Sequence, residues 1–199
     1  LIREWELPHY DSWFQDLGYH ETSAVLHVGA NGLHRAAHFV GFSQYDHAIQ
    51  LPSEGDLPPN GAILYALVPD APLTDEPAFP RAWIQNHYRA YFQGARELDV
   101  AATLAKMKGR LPAYNTWIIP SATFDKLWPW WLSVAYDLAW LKREPYPRRW
   151  RHHRHIAGVM ERVIGLSIAR EDDLQFFSID DGIQMDGVIR DEVLGLSSE

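Results

Sequence analysis

Apolar and polar positions along the chain change period several times, and the changeovers mark its elements. Residues 21–38 read as a helix with Ala24, Val25, Val28, Ala36 and Ala37 at its apolar positions, weakened by Gly29 and Gly32. Residues 39–45 read as a short strand that ends in the polar cluster Gln44, Tyr45, Asp46 and His47. A second, buried strand is predicted over 62–68, between Pro58-Pro59-Asn60-Gly61 and Pro69-Asp70. Prolines at 69, 72, 77 and 80 make the stretch between them a loop, since each lacks a backbone donor and fixes φ. Helices follow over 81–93 and 99–108, the latter with Asp99 as its N-cap and Gly109 as its stop.

Residues 115–119 form an apolar strand closed by Pro120, after which Ser121 is placed to cap a long helix reaching Leu141. Phe124, Leu127, Trp128, Trp131, Ala135, Leu138 and Leu141 recur at spacings of three and four and define its buried face. Pro129 predicts a kink or a delayed start. Pro145 and Pro147 break the chain, a second helix covers 149–168, and residues 176–179 read as a last strand. Strands alternating with helices predict an α/β fold, one sheet covered by helices in a single domain over 1–170, followed by an acidic C-terminal segment over 171–199.

Charge sharpens this picture. The 199 residues carry 18 Lys+Arg against 26 Asp+Glu, a formal net charge of −8, but the charge is segregated. Six bases (Lys142, Arg143, Arg148, Arg149, Arg151, Arg154) stand against Glu144 alone, with His152, His153 and His155 interleaved. From 171 to 199 nine acids stand against Arg190. The basic stretch reads either as a solvated face and partner of the acidic segment or as an anion site for phosphates. There is no cysteine, which removes disulfides, thiolate metal sites and cysteine nucleophiles and is compatible with a cytoplasmic location. No apolar run approaches the roughly 18 to 20 residues needed to span a bilayer, and no basic n-region with an apolar stretch opens the chain. Beginning at Leu1, the chain reads as an excised domain or a processed product.

Several motifs are missing: the phosphate loop, G-x-G-x-x-G, G-x-S-x-G and H-E-x-x-H. ATPases, Rossmann dehydrogenases, serine hydrolases and zincins lose their support. His152-His153-Arg154-His155 would hold a cation in a repulsive field of arginines, so a metal is not assigned there.

Three segments carry candidate chemistry. Gly41-Phe42-Ser43-Gln44-Tyr45-Asp46-His47 delivers a carboxylate, a phenol and an imidazole to the C-terminal end of a strand, where open α/β sheets bind ligands; alternatively Asp46 caps the next turn. Asn115-Thr116-Trp117-Ile118-Ile119-Pro120 sets an amide beside an indole, which suits a sugar ring or, equally, a core tryptophan with a capping Asn. In His155-Ile156-Ala157-Gly158-Val159-Met160-Glu161-Arg162, Glu161 either pairs with Arg162 or has a carboxyl tuned for proton transfer.

Together these segments resemble a family of bacterial glycosyltransferase-like domains, formerly a domain of unknown function, of capsule and O-antigen polysaccharide clusters. A family helix "E-L-T/S-A-L-Y-W-x-W-K-N" leads into a strand "V-G-L/F-x-H/Q-Y-R/D"; here Glu21-Thr22-Ser23-Ala24-Val25-Leu26-His27-Val28-Gly29-Ala30-Asn31 precedes Phe39-Val40-Gly41-Phe42-Ser43-Gln44-Tyr45-Asp46. The family's "N-M-F-I", Phe and Trp-rich helix are matched by Asn115-Thr116-Trp117-Ile118, Phe124 and Trp130-Trp131, and its "R-x-x-G-F-x-x-E-R-L" by the segment from His155 to Val163.

The resemblance implies a GT-A-like mixed sheet and transfer of a sugar from a nucleotide-sugar donor to a glycan acceptor. Asp46 and Glu161 become the candidate catalytic carboxylates. Gln44, Tyr45, His47, Asn115 and Trp117 become the donor or sugar site, and Arg148, Arg149, Arg151 and Arg154 the phosphate anchor. The family has a strand and an "H-K" element before the first helix, where this chain has twenty residues, and no D-x-D is present to hold Mn²⁺ or Mg²⁺. Those departures keep open the participation of other domains of a longer polypeptide, and a non-catalytic glycan-binding or assembly module as the alternative. Single-stranded nucleic-acid binding through the arginines, Tyr146 and Trp150 is disfavoured by the net acidity.

Overall fold

The structure is a computed structural model, and it describes residues 3–19, 21–43, 55, 57–65, 67–69, 79–93, 97–107, 110–112, 115–143 and 153–179. In chain order its elements are α1 (Ser12–Asp16), α2 (Glu21–Ala30), β1 (Phe39–Phe42), β2 (Gly61–Tyr65), β3 (Leu67–Pro69), α3 (Phe79–Tyr91), α4 (Val100–Lys106), β4 (Arg110–Pro112), β5 (Trp117–Pro120), α5 (Ser121–Arg143), α6 (His153–Arg170) and β6 (Gln175–Ile179). Single 3₁₀ turns occupy Glu4–Glu6 and Leu33–Ala36.

The main sheet is mixed, with order β1-β5-β2-β6. Antiparallel pairing sets Phe42 opposite Trp117 and Leu64 opposite Trp117, and β6 runs parallel to β2 with Phe176 opposite Ala62. A separate antiparallel pair joins β3 to β4. The C-terminal ends of β1, β2 and β6 therefore share one end of the sheet with the N-terminal end of β5. Within β1, Gly41 permits the close pairing with β5, because a Cβ there would sit 2.9 Å from Ile118 Cγ1 and 3.2 Å from the Trp117 carbonyl oxygen.

Alternation along the strands divides the two faces. Ala62, Leu64, Trp117 and Ile119 turn into the principal core with Phe124, Trp130, Trp131, Met160 and Ile164 of the helices. Ile63 and Ile118 turn the other way, into a small cluster with Phe39 and Leu57. Residues 163–169 of α6 are buried on every side, as an interior helix must be, and α6 packs on α2, α4, α5 and β4. The buried face of α5 is as predicted at Phe124, Leu127, Trp131, Ala135 and Leu138.

Local chemistry adjusted the predicted boundaries. The first helix stops at Ala30, and Gly32 turns the chain left-handed (φ 65°), which breaks a predicted 18-residue helix into a helix and a 3₁₀ turn. The predicted strand over 62–68 is two strands in two sheets. Asp99 caps α4 as expected, accepting from Ala102 N–H at 3.0 Å. Ser121 does not cap α5: it is the first helical residue, and its backbone N–H donates to the His38 carbonyl at 2.9 Å. The helix runs through Pro129 without a delayed start. Past residue 170 the fold continues into β6, so the acidic segment begins inside it.

Residues 3–19, which show no clear period, are held to the helices by buried anchors. Phe14 and Tyr19 are buried, and the Tyr19 hydroxyl donates to the Ala135 carbonyl at 2.5 Å; burial pushes this phenol's pKa up.

Candidate functional site

The end of the sheet where β1 stops and β5 starts brings together two of the three candidate segments. Phe42, opposite Trp117 in register, is two residues before Gln44, and Asn115 is two residues before Trp117. Gln44, Tyr45, Asp46 and His47 themselves lie outside the described residues, as do Arg148, Arg149 and Arg151; Arg154 falls in the first turn of α6.

Asn115 takes a positive φ of 47°, a left-handed conformation that Asn tolerates better than most residues. Its side chain is buried, and Nδ2 donates to Thr22 Oγ1 of α2 at 2.9 Å. Oδ1 of the same amide and the indole Nε1 of Trp117 are both buried and make no hydrogen bond among the described residues. Trp117 is 1% exposed, with its ring against Phe42 (4.9 Å), Phe124 (6.3 Å) and Trp131 (5.9 Å). It offers a ligand no open ring face, and its polar edge is the part left unsatisfied. Glu161 is half-buried in α6, and the neighbouring Arg162 turns back to donate to the Gly158 carbonyl at 2.8 Å.

Sequence reasoning missed three histidine–carboxylate pairs. His27 accepts the Asp11 N–H at Nε2 (2.8 Å), which leaves the ring proton on Nδ1 to be donated to Glu4. Ser23 also donates to Glu4, and Gln15 Nε2 reaches its other oxygen at 3.0 Å. His87 accepts from the Trp130 indole at 3.1 Å and donates to Asp137 at 2.7 Å. With both ring nitrogens occupied, His27 and His87 have no free nitrogen to serve as a base. His34, closed to water, donates to Asp125 Oδ1 at 2.9 Å beside Arg35 on the same oxygen at 2.9 Å. Hydrogen bonds from His34 first, and then Arg35, hold the Asp125 carboxyl below the usual carboxylate range.

Burial alone would push the Glu4 carboxyl up, but the bonds from His27, Ser23 and Gln15 outweigh it and hold its pKa down. A native pKa below the unfolded value means that the folded state binds fewer protons, so this stabilisation is present above the unfolded pKa and fades as pH falls through the native one. The melting-temperature difference between the wild type and Glu4→Gln is therefore expected to be full near neutrality and to shrink below about pH 4. Thermal melts of both proteins across that range check it. A difference that stayed constant with pH would remove Glu4 from the role.

Among the described residues, no group of three His, Asp or Glu side chains could hold a metal ion, and no helix is long and apolar enough to cross a membrane. Comparison with protein families, curated proteins and solved structures finds no match to this chain.

Proposed function

We propose that the chain is a glycosyltransferase-like domain, with a GT-A-like sheet, that transfers a sugar from a nucleotide-sugar donor to a cell-surface polysaccharide or other glycan acceptor. One observation carries the reading. The segments behind the resemblance, distant in sequence, meet in space: Asn115 bonds to Thr22 of α2, Trp117 pairs with Phe42 of β1, and α2 packs on α6, which bears Glu161. The Phe42–Trp117 pair lies at the end of the sheet at which β1 and β2 stop, the usual position of ligands in open α/β sheets.

Glycosyl transfer needs a base to take the acceptor hydroxyl's proton in an inverting reaction, and positive charge on the departing nucleotide diphosphate. Asp46 is the first candidate for the carboxylate and Glu161 the second. Arg148, Arg149, Arg151 and Arg154 are the candidates for the phosphates, since guanidinium groups bind phosphate oxygens in pairs. Gln44, Tyr45, His47, Asn115 and Trp117 are the candidates for the sugar site. The sequence has no D-x-D, and among the described residues no group of three His, Asp or Glu side chains could hold a metal ion. The lack of D-x-D also favours the second reading, a glycan-binding module built on the same scaffold.

A thermal-shift series with uridine, guanosine, cytidine and thymidine nucleotide sugars, with and without Mn²⁺, tests the proposal, because a ligand bound only by the folded state raises apparent stability. Selective stabilisation by one nucleotide class, with transfer lost in folded Asp46→Asn or Glu161→Gln protein, is the expected result. Stabilisation by an oligosaccharide and by no nucleotide would select the binding module. Full transfer in both variants would overturn the carboxylate assignment.

A further inference from the structure

Two unsatisfied polar atoms at the end of the sheet point to a ligand group. We propose that Asn115 Oδ1 and the Trp117 indole N–H are an acceptor and a donor for a neutral ligand group that both gives and accepts a hydrogen bond, as a sugar hydroxyl does. Thr22 is the positioning residue that sets the amide. The inference rests on the glycosyltransferase-like reading and extends it: Trp117 contributes its polar edge, not its ring face.

Both residues face the helix side of the sheet, Asn115 through its bond to Thr22 and Trp117 through its contacts with Phe124 and Trp131. They are 4% and 1% exposed, so bulk solvent does not reach them. Leaving a buried donor or acceptor unpaired costs about 1–3 kcal/mol each, and native folds leave few such groups. Here two of opposite sense stand two residues apart, and Asn115, which bears one of them, is itself in a left-handed conformation. Strained backbone and unpaired polar atoms that coincide are typical of ligand sites.

The amide orientation follows from Thr22. Its hydroxyl oxygen accepts from Nδ2, which turns Oδ1 away from α2 and leaves it as the free acceptor. One donor and one acceptor with no charged partner bonded to either select a neutral group over a phosphate or carboxylate oxygen, which could only accept. A sugar hydroxyl and the imide edge of a nucleobase share this chemistry, and the two are separated by experiment.

The test is a titration of the full chain labelled with ¹⁵N-tryptophan, in which Trp117→Phe identifies the Trp117 indole signal. The probes are UDP-glucose and GDP-mannose, each beside its free nucleoside diphosphate and its free monosaccharide. The proposal expects a downfield shift of the Trp117 indole proton with a nucleotide sugar. Its persistence with the free monosaccharide assigns the hydroxyl, and its persistence with the diphosphate assigns the base.

Asn115→Gly tolerates the positive φ while removing Oδ1, and should weaken binding roughly ten- to hundred-fold. Thr22→Val should weaken it less, and Thr22→Ser should restore it. Nucleotide-sugar binding with the Trp117 signal unmoved and the Asn115→Gly affinity unchanged overturns the inference and leaves the functional reading standing. Failure of every probe to bind the wild type overturns that reading and this inference with it. The titration is read on the wild-type chain, where the Trp117 signal is also assigned through nuclear Overhauser contacts to the Phe124 and Trp131 rings, so the test stands even where Trp117→Phe or Asn115→Gly fails to fold.

Discussion

Trp131→Ala is expected to cost about 3–5 kcal/mol of folding stability, the range for truncating a fully buried large aromatic side chain. The indole is 0% exposed and contacts Phe124 at 5.4 Å edge-on and Trp117 at 5.9 Å, so it joins α5 to the sheet. Its Nε1–H also donates to Ser167 Oγ at 2.8 Å, and that hydroxyl in turn donates to the Ile164 carbonyl at 2.8 Å, so the same residue joins α5 to α6. Few cores can absorb such a void, and against a typical total of about 5–15 kcal/mol the variant would be close to unfolding. Trp131→Phe separates the two contributions. It keeps most of the ring packing and loses the hydrogen bond, and Ser167 retains its bond to Ile164, so a smaller loss of about 1–2 kcal/mol follows. Urea denaturation midpoints of the three proteins measure both. An alanine variant within about 1 kcal/mol of wild type would show that the three layers do not meet at this residue.

The same residue illustrates what the sequence makes legible. Phe124, Leu127, Trp131, Ala135 and Leu138 advertise the buried face of α5 through their spacing alone, because a helix that buries one stripe needs apolar residues every three or four positions. Trp130 falls off that stripe yet is 0% exposed, since α3 covers the neighbouring side: its indole bonds to His87 and its ring meets Tyr88 at 4.8 Å. Which additional face is covered depends on a second helix, and no local pattern encodes that. The opening residues show the complementary failure. Asp11, Phe14 and Tyr19 form a five-residue helix and its anchors, too short for a period to register.

The candidate site divides in the same way. Asn115 stands out in sequence as an amide opening an apolar strand. Thr22, which orients it, is one small residue in the first turn of a helix and carries no signal until α2 is laid against the sheet. The histidine pairs are hidden for a related reason. Glu4 and His27, His87 and Asp137, and His34 and Asp125 are 23, 50 and 91 positions apart, so their partnership is a property of packing. Two of those histidines are structural in a specific sense: each spends one nitrogen accepting and the other donating, so His27 ties α2 to the Asp11 N–H and to the 3₁₀ turn at Glu4, and His87 ties α3 to two points of α5.

Gly29→Ala is expected to destabilise the protein by about 1–3 kcal/mol, the usual cost of overpacking, although alanine is the better helix former. Glycine in a helix interior is normally a loss of about 1 kcal/mol relative to alanine, so an unobstructed substitution would stabilise α2. Position 29 is obstructed. A Cβ there would lie 2.6, 2.7 and 2.8 Å from Trp128 Cδ2, Cε3 and Cγ. Those atoms belong to the body of a rigid indole near its attachment to α5, not to the tip of a flexible chain, so the ring or the helix must move. The half-buried Trp128 lies next to Leu127, which is 0% exposed, so moving the helix would disturb core packing as well. Pairing the substitution with Trp128→Leu should relieve the clash and recover the helix-propensity gain, making the double variant more stable than Trp128→Leu alone. A double-mutant cycle on denaturation free energies measures the coupling, expected at about 1 kcal/mol or more for side chains in direct contact. Additive effects, or a stabilised Gly29→Ala protein, would mean that α2 and α5 do not approach at this glycine. The placement of Thr22 over Asn115 would then lose its support, because it depends on the same packing of α2.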